Sequence, residues 1–396
     1  MAKAVFPEIK DWSSLTIRLE RWGCYGTCAV YKVEIRGDGS VNYDGVDNVV
    51  VTGKHHNRIS QAALRDLVAQ FRKADFFALD DEYSPGAAAR KIGANAIVND
   101  APTYIVSIAF GGRSKKIEDT LGSESGMPKV VSELQNAVDL TAGTERWVEG
   151  SADTIPSLEA EGWDFHVPAR KHSFLLVRAA QKGNAALVRQ LLEAGVSARD
   201  AYGCAALYSA ADIGDGESVD VLAQAGAPVD AGEVDVGEFW HVDCRPLMAA
   251  VEHGSPKIVA RILSLHPVVD ARDEHGRTAL MSSRDPVVAR LLLEAGADVH
   301  ARDDEGRTPL MMESGNPETV RVLLAAGAVA DVNLQDSRGS TALMGSYDPA
   351  VTQVLLEAGA DPALTDKDGK TALDQVGNWR QTAPVLQAWM AAHRKK

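Results

Sequence analysis

GRTALM from Gly276 returns as GRTPLM from Gly306 and GSTALM from Gly339, and GKTALD from Gly369 closes the series. The spacings are 30, 33 and 30 residues. A second block, LLEAGAD or a close variant, has its glycine at Gly195, Gly226, Gly296, Gly327 and Gly359, and the two blocks alternate. Between them the apolar residues keep helical spacing, as in Val288, Leu291, Leu292 and in Val351, Val354, Leu355. Self-similarity at such a period is the signature of a repeat array. Each unit reads as a short helix, a turn, a second helix, a glycine cap and a finger containing Asp-x-x-Gly. One helix pair cannot bury its own apolar face, so the units must stack on one another.

These blocks resemble the ankyrin repeat, whose signature is Thr-Pro-Leu-His-x-Ala at a period near 33. The resemblance covers 172–396 and divides into about seven units: 174–202, 203–243, 244–275, 276–305, 306–338, 339–368 and a terminal cap, 369–396. It implies an all-α solenoid that binds proteins. Where the family carries His after Leu, this chain has Met248, Met281, Met311 and Met344. A methionine stripe at helical spacing is core filling, because thioethers suit irregular gaps. From the Leu of the first block to the Gly of the second is 19 residues in the first two units, and 19 to His266 in its place in the third, but 16 or 17 in the next three. The loss is about one helical turn. Asp285-Pro286 and Asp348-Pro349 then read as N-cap and first residue of the second helix.

One finger is longer than the rest. From Gly226 to Leu247 is 21 residues, against 14 from Gly296 to Leu310. The extra sequence is acidic and ends in Phe239, Trp240 and His241. Aromatic residues beside carboxylates suit a recognition spot; the alternative is that Phe239 and Trp240 fold onto the array. The net charge is −14, which disfavours nucleic acid as a partner. Residues 1–150 contribute −2 and the remainder −12. Between Asp212 and Asp243 lie nine acids and no Lys or Arg. Such a run is either a solvated face or a contact for a basic protein partner. The binding candidates are Glu233, Asp235, Glu238, Phe239, Trp240 and His241, with the fingertip residues Glu274, His275, Asp304 and Glu305. Cys204 and Cys244 fall at equivalent positions of adjacent units. Packed helices sit about 8–10 Å apart, whereas a disulfide needs Cα atoms within about 7 Å, so no bridge is expected unless the long finger distorts that step.

The N-terminal part, 1–150, reads as a separate domain, with 151–171 a linker to the repeats. Segments SLTIRLE, AVYKVEIR, SVNYDG and NVVVTG alternate as strands after Ser13, and Gly37-Asp38-Gly39 supplies a hairpin turn. A helix follows from an N-cap at Ser60, with Leu64, Leu67, Val68 and Phe71 on one stripe. TYIVSIAF and SKKIED form another hairpin over Gly111-Gly112, and a last helix runs from about Pro128 to Leu140. The expectation is an antiparallel sheet with helices on one face, a two-layer arrangement, making the chain α+β overall. This part is similar to a bacterial domain family of unknown function, through Leu19, Cys24, Gly26, Cys28, Tyr31, Gly39, Val41, Tyr43, Gly53, Phe76 and Asp100-Ala101-Pro102. The family usually has Pro after the second cysteine, where this chain has Ala29, and its exported members imply the periplasm.

Cys24-Tyr-Gly-Thr-Cys28 is the chemical candidate of this domain. It can be a disulfide, a pair of buried thiols, or a redox or metal site; zinc would need two further ligands. His55 and His56 read as surface turn residues. There is no phosphate-binding loop, no dinucleotide glycine fingerprint, no H-E-x-x-H and no G-x-S-x-G. Neither a catalytic set nor a cofactor nor a metal can be assigned. The sequence therefore leans to a monomeric protein-binding module, the alternative being a redox enzyme acting through Cys24 and Cys28. No run of 18 apolar residues spans a membrane. Residues 1–12 lack a signal-peptide apolar region, so the expectation is the cytoplasm, or the periplasm or exterior if a leader has been removed.

Overall fold

The computed structural model describes residues 6–23, 28–84, 102–120, 127–235, 241–313, 315–375 and 381–393. The chain divides into two compact units, 1–167 and 168–396.

The first unit is built on a seven-stranded sheet. Its strands are β1 (Thr16–Trp22), β2 (Val30–Arg36), β3 (Ser40–Asp47), β4 (Gly53–Arg58), β5 (Glu82–Tyr83), β6 (Thr103–Phe110) and β7 (Arg113–Thr120). The spatial order is β4-β3-β2-β1-β6-β7-β5. Period-two alternation sends Ile17, Leu19, Val33, Ile35, Val41, Val106, Ile108 and Ile117 to one face. There they meet the apolar stripes of helices α1 (Gln61–Lys73) and α2 (Lys129–Ala142): Leu64, Leu67, Val68 and Phe71 from the first, Val131, Leu134 and Val138 from the second. Two short helices follow, α3 (Glu145–Val148) and α4 (Thr154–Ala160).

Three features depart from the sequence reading. The sheet is mixed rather than wholly antiparallel, because the two-residue β5 runs parallel to β7; an edge strand this short carries almost no sequence signal. The fourth strand is GKHHNR, not NVVVTG. Val49, Val50 and Val51 are buried, but their segment docks on α3, the Val50 and Val51 amides donating to the carbonyls of Val148 (3.0 Å) and Trp147 (2.8 Å). The apolar run thus marks a buried plug, and strand pairing begins only after it. The stretch 151–171, read as a linker, contains α4, with Ile155 and Leu158 buried, and the compact unit continues to residue 167.

The second unit is a stack of helix pairs. They are α5 (Arg170–Gln181) with α6 (Ala185–Glu193), α7 (Ala201–Asp212) with α8 (Gly216–Gln224), and α9 (Pro246–His253) with α10 (Pro256–Leu263). Then come α11 (Ala279–Ser282) with α12 (Pro286–Glu294), α13 (Pro309–Met312) with α14 (Pro317–Ala325), α15 (Ala342–Gly345) with α16 (Pro349–Glu357), and α17 (Ala372–Gln375) with α18 (Ala383–Ala392). The first helices have 12, 12 and 8 residues in the first three pairs and 4 in each of the rest, which is the turn the spacing said was lost. Asp285 and Asp348 cap the helices that follow, each accepting two backbone N–H bonds, with Pro at the first position. Met281 and Met344 are buried between helices; Met248 and Met311 are half-buried. Strands β8 (Gly232–Asp235) and β9 (His241–Cys244) form a hairpin in the long finger.

One polar knot ties the sheet to α2. Asp139 accepts from Arg21 Nη2 (2.6 Å) and Nε (3.0 Å) on one oxygen, and from the Tyr31 hydroxyl (2.8 Å) and Thr144 Oγ1 (2.8 Å) on the other. The Arg21 guanidinium lies over the Tyr104 ring, 4.7 Å from its centroid. Removing the carboxylate leaves a half-buried cation and a buried phenol without their acceptor. Asp139→Ala should therefore cost about 3 kcal/mol. Hydrogen exchange of residues 16–36 in the full-length chain checks this; protection unchanged within 0.5 kcal/mol (roughly the scatter of surface substitutions) would mean the knot is not structural.

Candidate interaction surface

Four fingers of the array are turns closed by one aspartate each. Asp273 Oδ1 accepts from the amides of His275 (2.9 Å) and Arg277 (2.8 Å), and Asp303 Oδ1 from that of Arg307 (2.7 Å). Asp336 accepts from Arg338 and Ser340, and Asp366 from Asp368 and Lys370. The chain then passes through Gly276, Gly306, Gly339 and Gly369 at φ of 73° to 81°, a region that disfavours any side chain. Burial works against the charge on Asp273, but the two amides and the Arg277 guanidinium hold its carboxyl below the usual range.

A second set of side chains clamps finger to finger. Arg272 donates to the carbonyls of Gly276 in its own turn (3.1 Å) and Arg302 in the next (2.6 Å). Arg302 does the same to Gly306 (2.9 Å) and Gln335 (2.8 Å), and Gln335 to Gly339 (2.7 Å) and Thr365 (2.8 Å). These clamps were not singled out from the sequence, yet they recur at one position per unit; aligning the units would have found them.

The fingertip candidates lie on this clamped rim. The Asp304 amide donates to the His275 carbonyl (3.1 Å), and the Ser337 amide to that of Glu305 (2.7 Å), so the tips stand side by side. Glu274 and Asp304 are exposed, His275 Nε2 lies 3.6 Å from Glu274, and Glu305 is partly engaged by Arg307 (2.8 Å). Their backbones are fixed while their side chains meet solvent.

In the long finger the register sets Glu233 opposite Asp243 and Asp235 opposite His241. Glu238, Phe239 and Trp240 lie outside the described residues. Among the described residues, four acids of this run have partners within the array. Glu217 pairs with Arg189 (2.7 Å) and Asp220 with Arg261 (2.6 Å), cations supplied by the neighbouring helices α6 and α10. Asp215 caps α8, and Asp230 accepts from the Val268 amide (2.9 Å). In a solenoid the facing residue is about one repeat away, so a local charge count cannot see it. Next to this run, burial raises the pKa of the Tyr208 hydroxyl, and the carboxylates of Asp212 and Glu252 add to the effect.

The bridge judged out of reach is present. Cys204 and Cys244 form a disulfide with Cα atoms 6.1 Å apart. The helix-packing distance does not apply, because only Cys204 sits on a helix; Cys244 ends β9, and the long finger brings the extended chain up against α7. In the first unit Cys28 is disulfide-bonded, and Cys24 lies outside the described residues. His55 is a buried strand residue rather than a turn residue. Its Nδ1 contacts Glu161 (2.6 Å) and its Nε2 the Thr52 carbonyl (3.0 Å), among the rings of Tyr43, Trp147 and Trp163. On the solvent side of the sheet a shallow basin of about 430 Å³ is lined by charged groups. They are largely engaged with one another: Arg18 and Arg36 both contact Glu34 (2.6 and 2.7 Å), and Lys32 contacts Glu20 (3.2 Å). Among the described residues no group of three His, Cys, Asp or Glu could hold a metal ion, and no helix is long and apolar enough to cross a membrane.

Comparison with known proteins divides the chain in the same way. Residues 15–142 match the family described as Domain of unknown function (DUF6438), and residues 282–366 match Ankyrin repeats (3 copies). The chain is 30% identical over 158 residues to the Ankyrin repeat and KH domain-containing protein mask-1 of Caenorhabditis elegans, covering 37% of this chain and 6% of that one. It is 34% identical over 135 residues to an ankyrin repeat-containing protein of Treponema pallidum, covering 32% of this chain and 44% of that one. The chain thus spans less than half the length of these relatives.

One buried group departs from the repeat pattern. Glu313 stands where the flanking units carry Ser283 and Ser346, and all three are buried. Its Oε1 accepts from the amides of Gly315 (3.0 Å) and Asn316 (2.8 Å), and its Oε2 has no partner among the described residues. Burial pushes this carboxyl up, against the two amides and Arg284. The folded array therefore favours the protonated acid. Its contribution is intact below the unfolded pKa of about 4.3 and is lost as pH rises through the folded value. Glu313→Gln should remove that loss, so that the variant's Tm relative to the parent climbs between pH 4 and pH 7. A difference that stays flat over this range would contradict the assignment.

Proposed function

We propose that this chain, ankyrin repeats behind a domain of unknown function, captures a basic protein through the acidic hairpin of its long finger. Ankyrin repeats are a protein-interaction module, and this chain's relatives carry the same repeats. The observation that carries the finer reading is the run of nine acids from Asp212 to Asp243 with no Lys or Arg among them. Glu217, Asp220, Asp215 and Asp230 are engaged within the stack. Asp212, Glu233, Asp235, Glu238 and Asp243 are the rest of that run, Asp212 at the end of α7 and the others in the sequence of the long finger. Phe239, Trp240 and His241 supply residue types that interface centres favour. The rim at Glu274, His275, Asp304 and Glu305 extends the contact along the fingers. Acidic charge in such a place steers a basic partner and sets its register more than it sets affinity. The chain acts as a monomer, offering one such surface.

The test is affinity capture with the full-length chain at low salt, beside Asp235→Lys/Glu238→Lys. Retention of a basic protein is expected to fall about tenfold in the variant, or roughly 1.4 kcal/mol, with the difference shrinking as salt is raised. Equal retention by parent and variant would remove the hairpin from the binding surface.

A further inference from the structure

The fingers at Asp273, Asp303, Asp336 and Asp366 are held by an Asp-x-x-Gly turn, and three clamps from Arg272, Arg302 and Gln335 tie them together. The long finger has no Asp-x-x-Gly between Gly226 and Leu247. What joins its far strand to the preceding repeat is the bond from Cys244, the last residue of β9, to Cys204 on α7. Both cysteines are wholly buried. Among the described residues, Val234 is buried, and the Ala231 amide reaches the Cys244 carbonyl at 3.4 Å. A ribbon of two four-residue strands does not hold its shape in water unaided.

We infer that the Cys204–Cys244 disulfide is the latch on which the order of this hairpin depends, so that the array presents a formed long finger only where disulfides persist. The functional consequence rests on the proposal that the hairpin contacts the partner; the latch itself does not. Release is a two-electron step. A dithiol reductant attacks one sulfur, the Cys204–Cys244 bond breaks, both sulfurs leave as thiols, and the reductant is oxidised to its own disulfide. Because both sulfurs are buried, attack must wait for the hairpin to open, so release follows opening and not mere contact with a reductant. Oxidising compartments are where such a bond is kept, and a reducing cytosol is where it would be lost.

Hydrogen exchange of the full-length chain tests this without any partner. It is compared in the oxidised protein, after dithiothreitol with loss of the bond verified by thiol alkylation and mass, and in Cys204→Ala/Cys244→Val, which refills the space. The latch predicts that exchange in 231–244 rises at least tenfold in both reduced and substituted chains while 276–375 stays as protected as before. Unchanged exchange in 231–244 overturns it. A rise spread over the whole array overturns it equally, since the bond would then be a global staple. Thiols that alkylate in protein prepared without reductant overturn it as well. Loss of partner capture by Asp235→Lys/Glu238→Lys in the oxidised chain is read separately, so either proposal can fail alone.

Discussion

A helix of four residues does not exist by itself in water, because forming its first turn fixes several residues for a single hydrogen bond. α11, α13, α15 and α17 are that short. They persist because Leu280, Leu310 and Leu343 are sealed between neighbouring units, and burying a leucine side chain yields about 1.5–3 kcal/mol. Nearest-neighbour burial is the constraint on which the rest of the second unit depends. It explains why the fingers must be rigid: each finger sets the offset of one helix pair on the next. The aspartate that closes a turn and the Arg or Gln that grips the following turn are thus parts of one device. The first fixes a finger's shape and the second its distance from the next.

Much of this was legible in the sequence, because repetition amplifies it. The blocks from Gly276, Gly306, Gly339 and Gly369 located the helices, the shortened units and the capped Asp-Pro starts before any coordinates. The strands β1, β2, β3, β6 and β7 followed from alternation, and α1 and α2 from their stripes. What failed was what depends on residues distant along the chain. Val49–Val51 has strand composition, but its backbone bonds go to Trp147 and Val148, about a hundred residues on. His55 looked like a turn residue because its core, with Trp147 and Glu161, lies equally far along the sequence.

The acidic run illustrates the same limit within the array. Read locally, Asp212 to Asp243 is uncompensated. Read across repeats, Arg189 and Arg261 reach Glu217 and Asp220 from either side. Exposed pairs of this kind add little stability, of the order of 0–1 kcal/mol each. Their importance is subtractive: they take two carboxylates away from any partner.

The disulfide was missed for a related reason, and the error is instructive about insertions. Equivalent positions of adjacent ankyrin units are separated by helix packing, provided both positions are helical. The insertion removed that condition at Cys244. It also removed the Asp-x-x-Gly turn that elsewhere fixes the finger, while the step from the second unit to the third keeps the Asp230 contact to the Val268 amide. Closing the intervening 40 residues by a covalent bond restrains the unfolded chain by about 4 kcal/mol on the loop-entropy account. That exceeds what the neutral Gln335 clamp of two hydrogen bonds provides, about 1–3 kcal/mol, and is comparable with the charged Arg272 and Arg302 clamps. A repeat array can therefore accept a long finger at one step when a covalent local tether replaces the one the insertion displaced, and stacking on either side proceeds undisturbed.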